Sequence, residues 1–300
     1  MRFHGLDLNL LVALHALLTE KSISRAAEKV FLSQPAMSNA LSRLREYFND
    51  DLLSTMGRQM TLTSRAESLV DPVREVLMRI ESTIAAQPNF DPATESRSFN
   101  IQLSDYSTTV FLPALIQRVY SEAPGVRLHL HALDGRQAGA IEQGEVDLLV
   151  IPSQYVLPAH PTVELFEEEY VCVTWDQNPD IGDEMTFDKY LAAGHVIAHY
   201  GIKSPAFDGW FLERYGVGRR VEITAATLAS LPRLVVGTRR IATVHRRLAK
   251  MYEDILPIRT WELPIEMPKM VQVMQWHKYR TNDAALTWLR NCAEEVCKTL

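Results

Sequence analysis

Cysteine is scarce in this chain: Cys172, Cys292 and Cys297 are the three in 300 residues. An odd number without metal-type spacing argues against a disulfide framework and for reduced thiols in the cytoplasm; buried, inert thiols are the expectation. Long apolar runs are missing as well. The longest, at 146–152, is strand-sized, against the roughly 20 residues that span a bilayer, so no membrane partner is expected. The first residues, MRFHGLDLNLL, carry Asp7 and Asn9 and end in no small-residue cleavage site, which argues against a secretory leader. There is no glycine-rich phosphate loop, no Gly-x-Ser-x-Gly turn and no evident Ser–His–Asp order, so an enzyme is not expected. His129 and His131 alternate like a metal pair, but no further ligand follows at useful spacing; no metal and no cofactor is expected. Nor is there an excess of positive charge. Lys and Arg number 31 against 37 Asp and Glu, a net charge of −6, so any attraction to nucleic acid must be local.

What is present begins with a helical cassette. In LDLNLLVALHALLTEKS, Leu6, Leu10, Leu14 and Leu17 recur at three- and four-residue steps, with Leu11 and Leu18 widening one apolar stripe. SISRAAEKV follows, in which Ser22 or Ser24 caps and Ala26, Ala27 and Val30 allow close packing. In FLSQPAMSNALSRLREYF, Ser33 is a good N-cap and Pro35 falls in the first turn, where its missing N–H is no loss. Ala36, Ala40, Leu41, Leu44 and Phe48 are read as inward, leaving Gln34, Ser38, Asn39, Ser42, Arg43 and Arg45 outside. Two short helices, the second showing amides, hydroxyls and arginines, match a helix-turn-helix whose second helix enters the major groove. A helical bundle with a solvated polar face fits the spacing too.

The next stretch, DDLLSTMGRQMTLTSRAESL, favours the first reading. Short alternating segments at 52–55 and 60–63 flank Gly57-Arg58, a wing-like hairpin with Arg58 at its tip, placed for a phosphate or the minor groove. After Ser64, read as a cap, Leu69, Val73, Val76, Leu77, Ile80 and Ile84 make a stripe along one long helix, with Pro72 as a possible kink. That stripe serves dimerisation or packing on its own domain.

Beyond the Pro- and Ser-bearing linker AAQPNFDPATESRS the pattern becomes alternating strands and helices, expected to build parallel sheets in two α/β subdomains with a cleft between them. Open α/β sheets bind ligands at the carboxyl ends of their strands. Those ends are Ser104-Asp105-Tyr106, followed by Thr108; Pro152; His199-Tyr200-Gly201; Thr227; His245; and Trp276. Aromatics beside hydroxyls and imidazoles fit a planar hydroxylated aromatic ligand. Simpler roles remain open for each: Ser104 and Thr108 as helix caps, Asp105 in a scaffold ion pair, His199 and His245 as scaffold histidines, Trp276 as core. His129 and His131 are expected to point away from the apolar face of Val126, Leu128 and Leu130.

DLNLLVALHALL, SISRAAEKVFLSQPAMSNALSRLR and DDLLSTMGRQMTLT together resemble the winged helix-turn-helix of LysR-type transcriptional regulators. LSQPAMS, PVREVL, FDP, HPTVELF and QWHKYRTNDAALTWLR are similar to the nodulation-regulator and naphthalene/salicylate-regulator branch. The run Glu167-Glu168-Glu169 departs from that pattern by its acidity. The resemblance implies a winged helix-turn-helix at 1–63, a linker and dimerisation helix at 64–87 and a hinge at 88–94. It further implies a periplasmic-binding-protein-like effector domain of two Rossmann-like subdomains, one from 95–163 with 268–300 and one at 164–267. On this reading Ser33, Gln34, Pro35, Ser38, Asn39, Arg43 and Arg58 face double-stranded DNA at a pseudo-palindromic promoter site. The working form is a homodimer or homotetramer that recruits RNA polymerase when a small aromatic effector fills the cleft. Rivals are a solute-binding protein, which the missing leader and the wing cassette oppose, and a regulator whose cleft is vestigial.

Overall fold

A computed structural model describes residues 2–3, 6–56, 59–85, 89–135, 137–199, 207–214, 216 and 218–300. The chain divides into two compact units, Met1–Ala86 and Gln87–Leu300.

In the first unit a two-residue pairing of β1 (Arg2–Phe3) with β2 (Leu6–Asp7) precedes α1 (Leu10–Glu20), α2 (Ile23–Lys29) and α3 (Gln34–Phe48). A hairpin of β3 (Leu53–Met56) and β4 (Gln59–Leu62) leads into α4 (Ser64–Ile80), which ends in one π turn at Glu81–Ala85. Leu10, Leu14, Leu17 and Leu18 of α1 are buried, and the helix stops where Lys21 turns left-handed. Ser22 Oγ accepts the Arg25 amide at 3.4 Å to start α2, whose Ala26 and Ala27 are small enough to sit fully inside. Ser33 Oγ accepts the Ala36 amide at 3.3 Å, with Pro35 in the first turn, so proline starts α3 rather than breaking it.

Three local expectations change. Met37, with Ala40, Leu41 and Leu44, forms the inward face of α3, and Ala36 is exposed. Arg45 is half-buried rather than outside: its guanidinium donates to the carbonyls of Asp51 (2.7 Å) and Leu53 (2.9 Å), pinning the hairpin to α3. The cap of α4 is Thr63, not Ser64. Its hydroxyl accepts the Ala66 amide at 3.1 Å and donates to Asp50 at 2.6 Å. Pro72 lies on the exposed side of a helix that runs through it. Leu69, Val73 and Leu77 pack into this unit's own core, whereas Val76 and Ile84 are exposed.

The second unit holds two five-stranded sheets. The first comes from β5 (Ser98–Leu103), β6 (Arg127–Ala132), β7 (Leu148–Pro152), β8 (Thr162–Glu168) and the late β14 (Met270–Gln275), in the order β6-β5-β7-β14-β8. Helices α5 (Asp105–Val110), α6 (Leu112–Glu122) and α7 (Gln137–Glu142) connect its early strands, and α12 (Ala284–Cys297) packs against α6. The second sheet orders β9 (Tyr170–Trp175), β10 (Gly194–Ala198), β11 (Arg220–Ala225), β12 (Ile241–His245) and β13 (Ile258–Glu262) as β11-β10-β12-β9-β13. Around these strands lie α8 (Phe187–Ala192), α9 (Phe207–Arg214), α10 (Leu231–Leu234) and α11 (Arg246–Glu253).

Neither sheet is wholly parallel. β14 runs antiparallel to β7 and β8, and β9 runs antiparallel to β12 and β13. These are the strands by which the chain crosses and returns. The alternating stretch TVELFEEEYVCVTW is divided between the sheets: β8 ends the first and β9 begins the second, with Glu169 alone between them. The crossing therefore lies beyond the expected break after residue 163. One continuous core, from Phe99, Ile101 and Leu103 through Phe166 and Val171 to Val244 and Leu248, runs through both sheets.

The candidate DNA-reading helix and the cleft

The outward face of α3 is polar by construction. With Met37, Ala40, Leu41 and Leu44 turned inward, the 3.6-residue period leaves Gln34, Pro35, Asn39, Ser42 and Arg43 exposed and Ser38 half-exposed. Gln and Asn side chains match adenine edges, and hydroxyls serve either base or phosphate. Ser33 is occupied as the cap. Arg43 is already partnered: Nη2 donates to Asp7 Oδ2 at 2.6 Å, and this guanidinium holds the Asp7 carboxyl below its ordinary range. The pair uses one of the five guanidinium N–H donors and leaves the side chain exposed, so Arg43 keeps donors for a phosphate. Arg58 lies outside the described residues.

The cleft candidates divide into two groups. Ser104, Asp105 and Thr108 sit where β5 passes into α5, and Thr227 follows β11. Asp105 joins the two sides: its Oδ2 accepts the backbone amide of Ala229 at 2.7 Å, which brings the 227–230 turn of the second subdomain against the end of β5. Its Oδ1 is buried and accepts no hydrogen bond among the described residues. Ser104 caps α5 through the Ser107 amide (3.1 Å), and the Thr108 and Thr227 hydroxyls are satisfied locally by Ser104 O and Ser230 Oγ. Pro152 ends β7, and exposed His199 follows β10 with its amide on Ala225 O at 2.8 Å. Tyr200 and Gly201 lie outside the described residues.

Tyr106 and His245 form a buried seam rather than an open wall. Their ring centroids are 4.3 Å apart, and Tyr170 lies 4.7 Å beyond His245. The Tyr106 hydroxyl donates to Glu168 Oε2, which also accepts Arg247 Nη1 at 3.0 Å; Glu168 Oε1 accepts the amides of Glu169 (3.0 Å) and Arg247 (3.4 Å). Sequence reasoning missed Glu168 and Arg247. A signal existed: in LFEEEY the inward alternation of Phe166 carries Glu168 to the same buried side.

Trp276 does not belong with these residues. β14 is antiparallel, so its carboxyl end pairs with Leu149 and Thr162 at the amino ends of β7 and β8, away from the cleft. There Trp276 stacks on the Arg290 guanidinium at 4.0 Å and donates from Nε1 to Thr281 at 3.1 Å.

Burial and the adjacent Glu168 carboxylate push the Tyr106 hydroxyl well above the ordinary tyrosine range. Above about pH 10, where unfolded tyrosine ionises, the folded chain retains a proton that the unfolded chain has lost, so stability falls with rising pH. The thermal midpoint of the wild-type protein is expected to fall more steeply above about pH 10 than that of Tyr106→Phe. Parallel curves would show that the seam does not hold this proton.

The histidines at the far end of the first sheet are hydrogen-bonded rather than poised as ligands. Glu142, His160 and His277 cluster, with His160 Nε2 3.1 Å from Glu142. Both Nδ1 atoms accept backbone amides, His160 from Lys278 (3.3 Å) and His277 from Tyr279 (3.2 Å). In the neutral rings the proton then sits on Nε2, which in His160 is the atom on the Glu142 side. His131 contacts Asn100 Oδ1 at 3.0 Å, on the side of β6 opposite the core residue Leu128, and Leu130 at this sheet edge is exposed. Burial pushes the thiols of Cys172, Cys292 and Cys297 upward, Cys292 to about 11 and Cys297 to about 12, which suppresses thiolate chemistry. Among the described residues no helix is long and apolar enough to cross a membrane.

Comparison with known proteins gives this geometry its context. Residues 8–67 match the bacterial regulatory helix-turn-helix of the lysR family, and residues 92–298 match the LysR substrate binding domain. Nodulation protein D of Bradyrhizobium sp. (strain ANU 289) is 42% identical over 301 residues, covering 100% of this chain and 89% of that one. Nodulation protein D 1 of Rhizobium tropici is 41% identical over 97% of this chain and 94% of its own. A probable transcriptional regulator of Pseudomonas aeruginosa superposes with a TM-score of 0.66 at 26% identity, covering 97% of each chain. The LysR family regulator CbnR, solved in complex with its target DNA, shares the fold alone, at 14% identity and a TM-score of 0.54 over 97% of this chain and 100% of its own. The reading of the N-terminal cassette as a helix-turn-helix and of the remainder as two α/β subdomains is thereby borne out, and the chain belongs to the LysR family of DNA-binding transcriptional regulators.

Proposed function

We propose that this regulator activates a target operon in the cytoplasm when a small hydroxylated aromatic molecule occupies the cleft of its second unit. The carrying observation is Asp105, which spans the cleft through Oδ2 and leaves Oδ1 buried without a described donor. A phenolic O–H supplies that donor, and the hydroxyls of Ser104, Thr108 and Thr227 with His199 give the ligand a polar rim. Among small aromatic inducers (a flavonoid, a salicylate-like acid, a chlorinated or hydroxylated phenol), flavonoids and neutral phenols suit a carboxylate better than salicylate-like acids, whose own charge it repels. Along its full length the chain is similar to proteins named for nodulation. The alternative is a ligand-independent regulator with a vestigial cleft.

On the DNA side, Gln34, Ser38 and Asn39 read bases of a pseudo-palindromic site, with Arg43 and Arg58 on phosphates. The exposed Val76 and Ile84 on the α4 segment are offered to a second copy in a homodimer or homotetramer. Ligand binding biases the arrangement of the subdomains, and so RNA polymerase recruitment, only as far as it favours one arrangement over the other.

Thermal unfolding against a panel of flavonoids, benzoates and substituted phenols tests this reading. A ligand at 100 times its dissociation constant adds about 2.7 kcal/mol, which raises the midpoint by several degrees. The shift is expected with flavonoids or phenols, and Asp105→Asn is expected to reduce it. A flat response across the panel, with DNA binding intact, would favour the ligand-independent alternative.

A further inference from the structure

Phe31 lies in the turn between α2 and α3, two residues before the Ser33 cap. Its φ is +57°, in the left-handed region that a bulky side chain enters only at an energetic cost. The turn is fixed by backbone bonds on both sides of that strain: Phe31 N donates to Glu28 O at 3.2 Å and Leu32 N to Ala27 O at 2.9 Å. The side chain gains nothing from the fold in return. It is 96% exposed, and the core of this unit passes through Ala26, Ala27, Met37 and Leu41 without it. Leu32, beside it, is 43% exposed. Glycine would make this turn without strain, yet the chain sets a large apolar ring where burial returns least. Strain of this kind concentrates at functional positions.

The place of the residue says which partner it serves. The turn leads directly into the first turn of α3, beside exposed Gln34 and Pro35, and the N-terminal residues of a recognition helix are those that contact base edges in the major groove. The exposed Phe31–Leu32 patch is thus continuous with the DNA-facing surface of the family. A duplex also carries apolar features within reach of a side chain: the thymine 5-methyl in the groove and the deoxyribose along its wall. We propose that Phe31 is a DNA-contacting residue that packs its ring on this apolar edge of the duplex at the margin of the α3 site. The proposal rests on α3 being the DNA-reading helix.

The test uses the full chain and a duplex that the wild-type protein has enriched from a randomised pool. Binding is followed by fluorescence anisotropy at two salt concentrations, and folding by thermal unfolding. Phe31→Gly is expected to weaken binding about tenfold while the midpoint stays level or rises, because the strain is relieved. The loss should be the same at both salts, since an apolar contact releases no counterions. Phe31→Leu should retain most of the affinity. Replacing thymine by uracil in the probe separates the sources: if the methyl is the partner, the replacement weakens the wild-type and leaves Phe31→Gly unaffected; if the sugar is, both bind as before. Undiminished binding by Phe31→Gly overturns the proposal, as does a lowered midpoint, which would make Phe31 a folding residue. Asn39→Ala is the control. If it loses affinity and Phe31→Gly does not, α3 reads DNA without Phe31; if the wild-type protein enriches no duplex, the assignment of α3 falls and the proposal with it.

Discussion

Replacing Glu168 with Leu is expected to destabilise the second unit by about 3–5 kcal/mol, the range for breaking a buried pair by removing one partner. Glu168 is 2% exposed and accepts from the Tyr106 hydroxyl, Arg247 Nη1 and two backbone amides. Leucine accepts none of these. The Tyr106 hydroxyl is left without an acceptor inside the core, and the Arg247 guanidinium, which sits over Phe166 at 5.1 Å, loses its facing carboxylate and keeps only the Glu167 and Leu300 oxygens. Changing both partners, Glu168→Leu with Arg247→Leu, should cost less than the sum of the single changes, because the second removes the charge that the first strands. Denaturant midpoints of the four proteins decide the matter. Additive losses would mean that Glu168 and Arg247 act independently, and a single loss below about 1 kcal/mol would place the pair with exposed ones.

Leu44→Ala is the corresponding test in the first unit. Leu44 is fully buried in the core formed by α1, α2, α3 and α4, on the inward face of the candidate DNA-reading helix. Truncation in a rigid core costs about 2–5 kcal/mol, depending on how far the neighbours collapse into the space. That is a large part of the stability of a small domain, so DNA binding should fall through loss of the folded population. The ligand-dependent shift of the second unit should be unaltered, because Leu44 belongs to a separate core. Asn39→Ala is expected to do the opposite, lowering affinity with the midpoint unchanged. A Leu44→Ala protein that keeps its midpoint would show a core able to close the gap.

The readings that held were local. Ser33 and Pro35 announce the start of α3 because capping and proline geometry depend only on neighbours in the chain. The inward face of α3 was nearly legible; Met37 displaced Ala36 because helical phase depends on where the first turn begins, which the cap fixes in space. Strand existence was readable and strand direction was not. Trp276 ends a strand as expected, but no local pattern announces that β14 runs backwards, and that reversal moves Trp276 to the opposite edge of the sheet. The three glutamates at 167–169 show the same limit. Their acidity is visible at once, yet one pairs with Lys269, one is buried with Tyr106 and Arg247, and one pairs with Arg246 and Lys269. Those partners come from distant parts of the chain, and their meeting is a property of the fold.

Two connecting segments, not one, join the sheets of the second unit. The outward crossing passes at Glu169 and the return at 263–269, and Lys269 ties the crossings together, 3.5 Å from Glu169 and 3.3 Å from Glu167. A single strap permits torsion in every direction, as a ball joint does. Two straps side by side remove torsion and leave bending about the line that joins them. Bending about that line is the motion such a joint favours, like that of a door on a pair of hinges. Such a joint acts as a lever: a small closure near the pins becomes a larger displacement at the outer edges of β6 and β11. One pair of fluorophores on those edges would follow the whole movement.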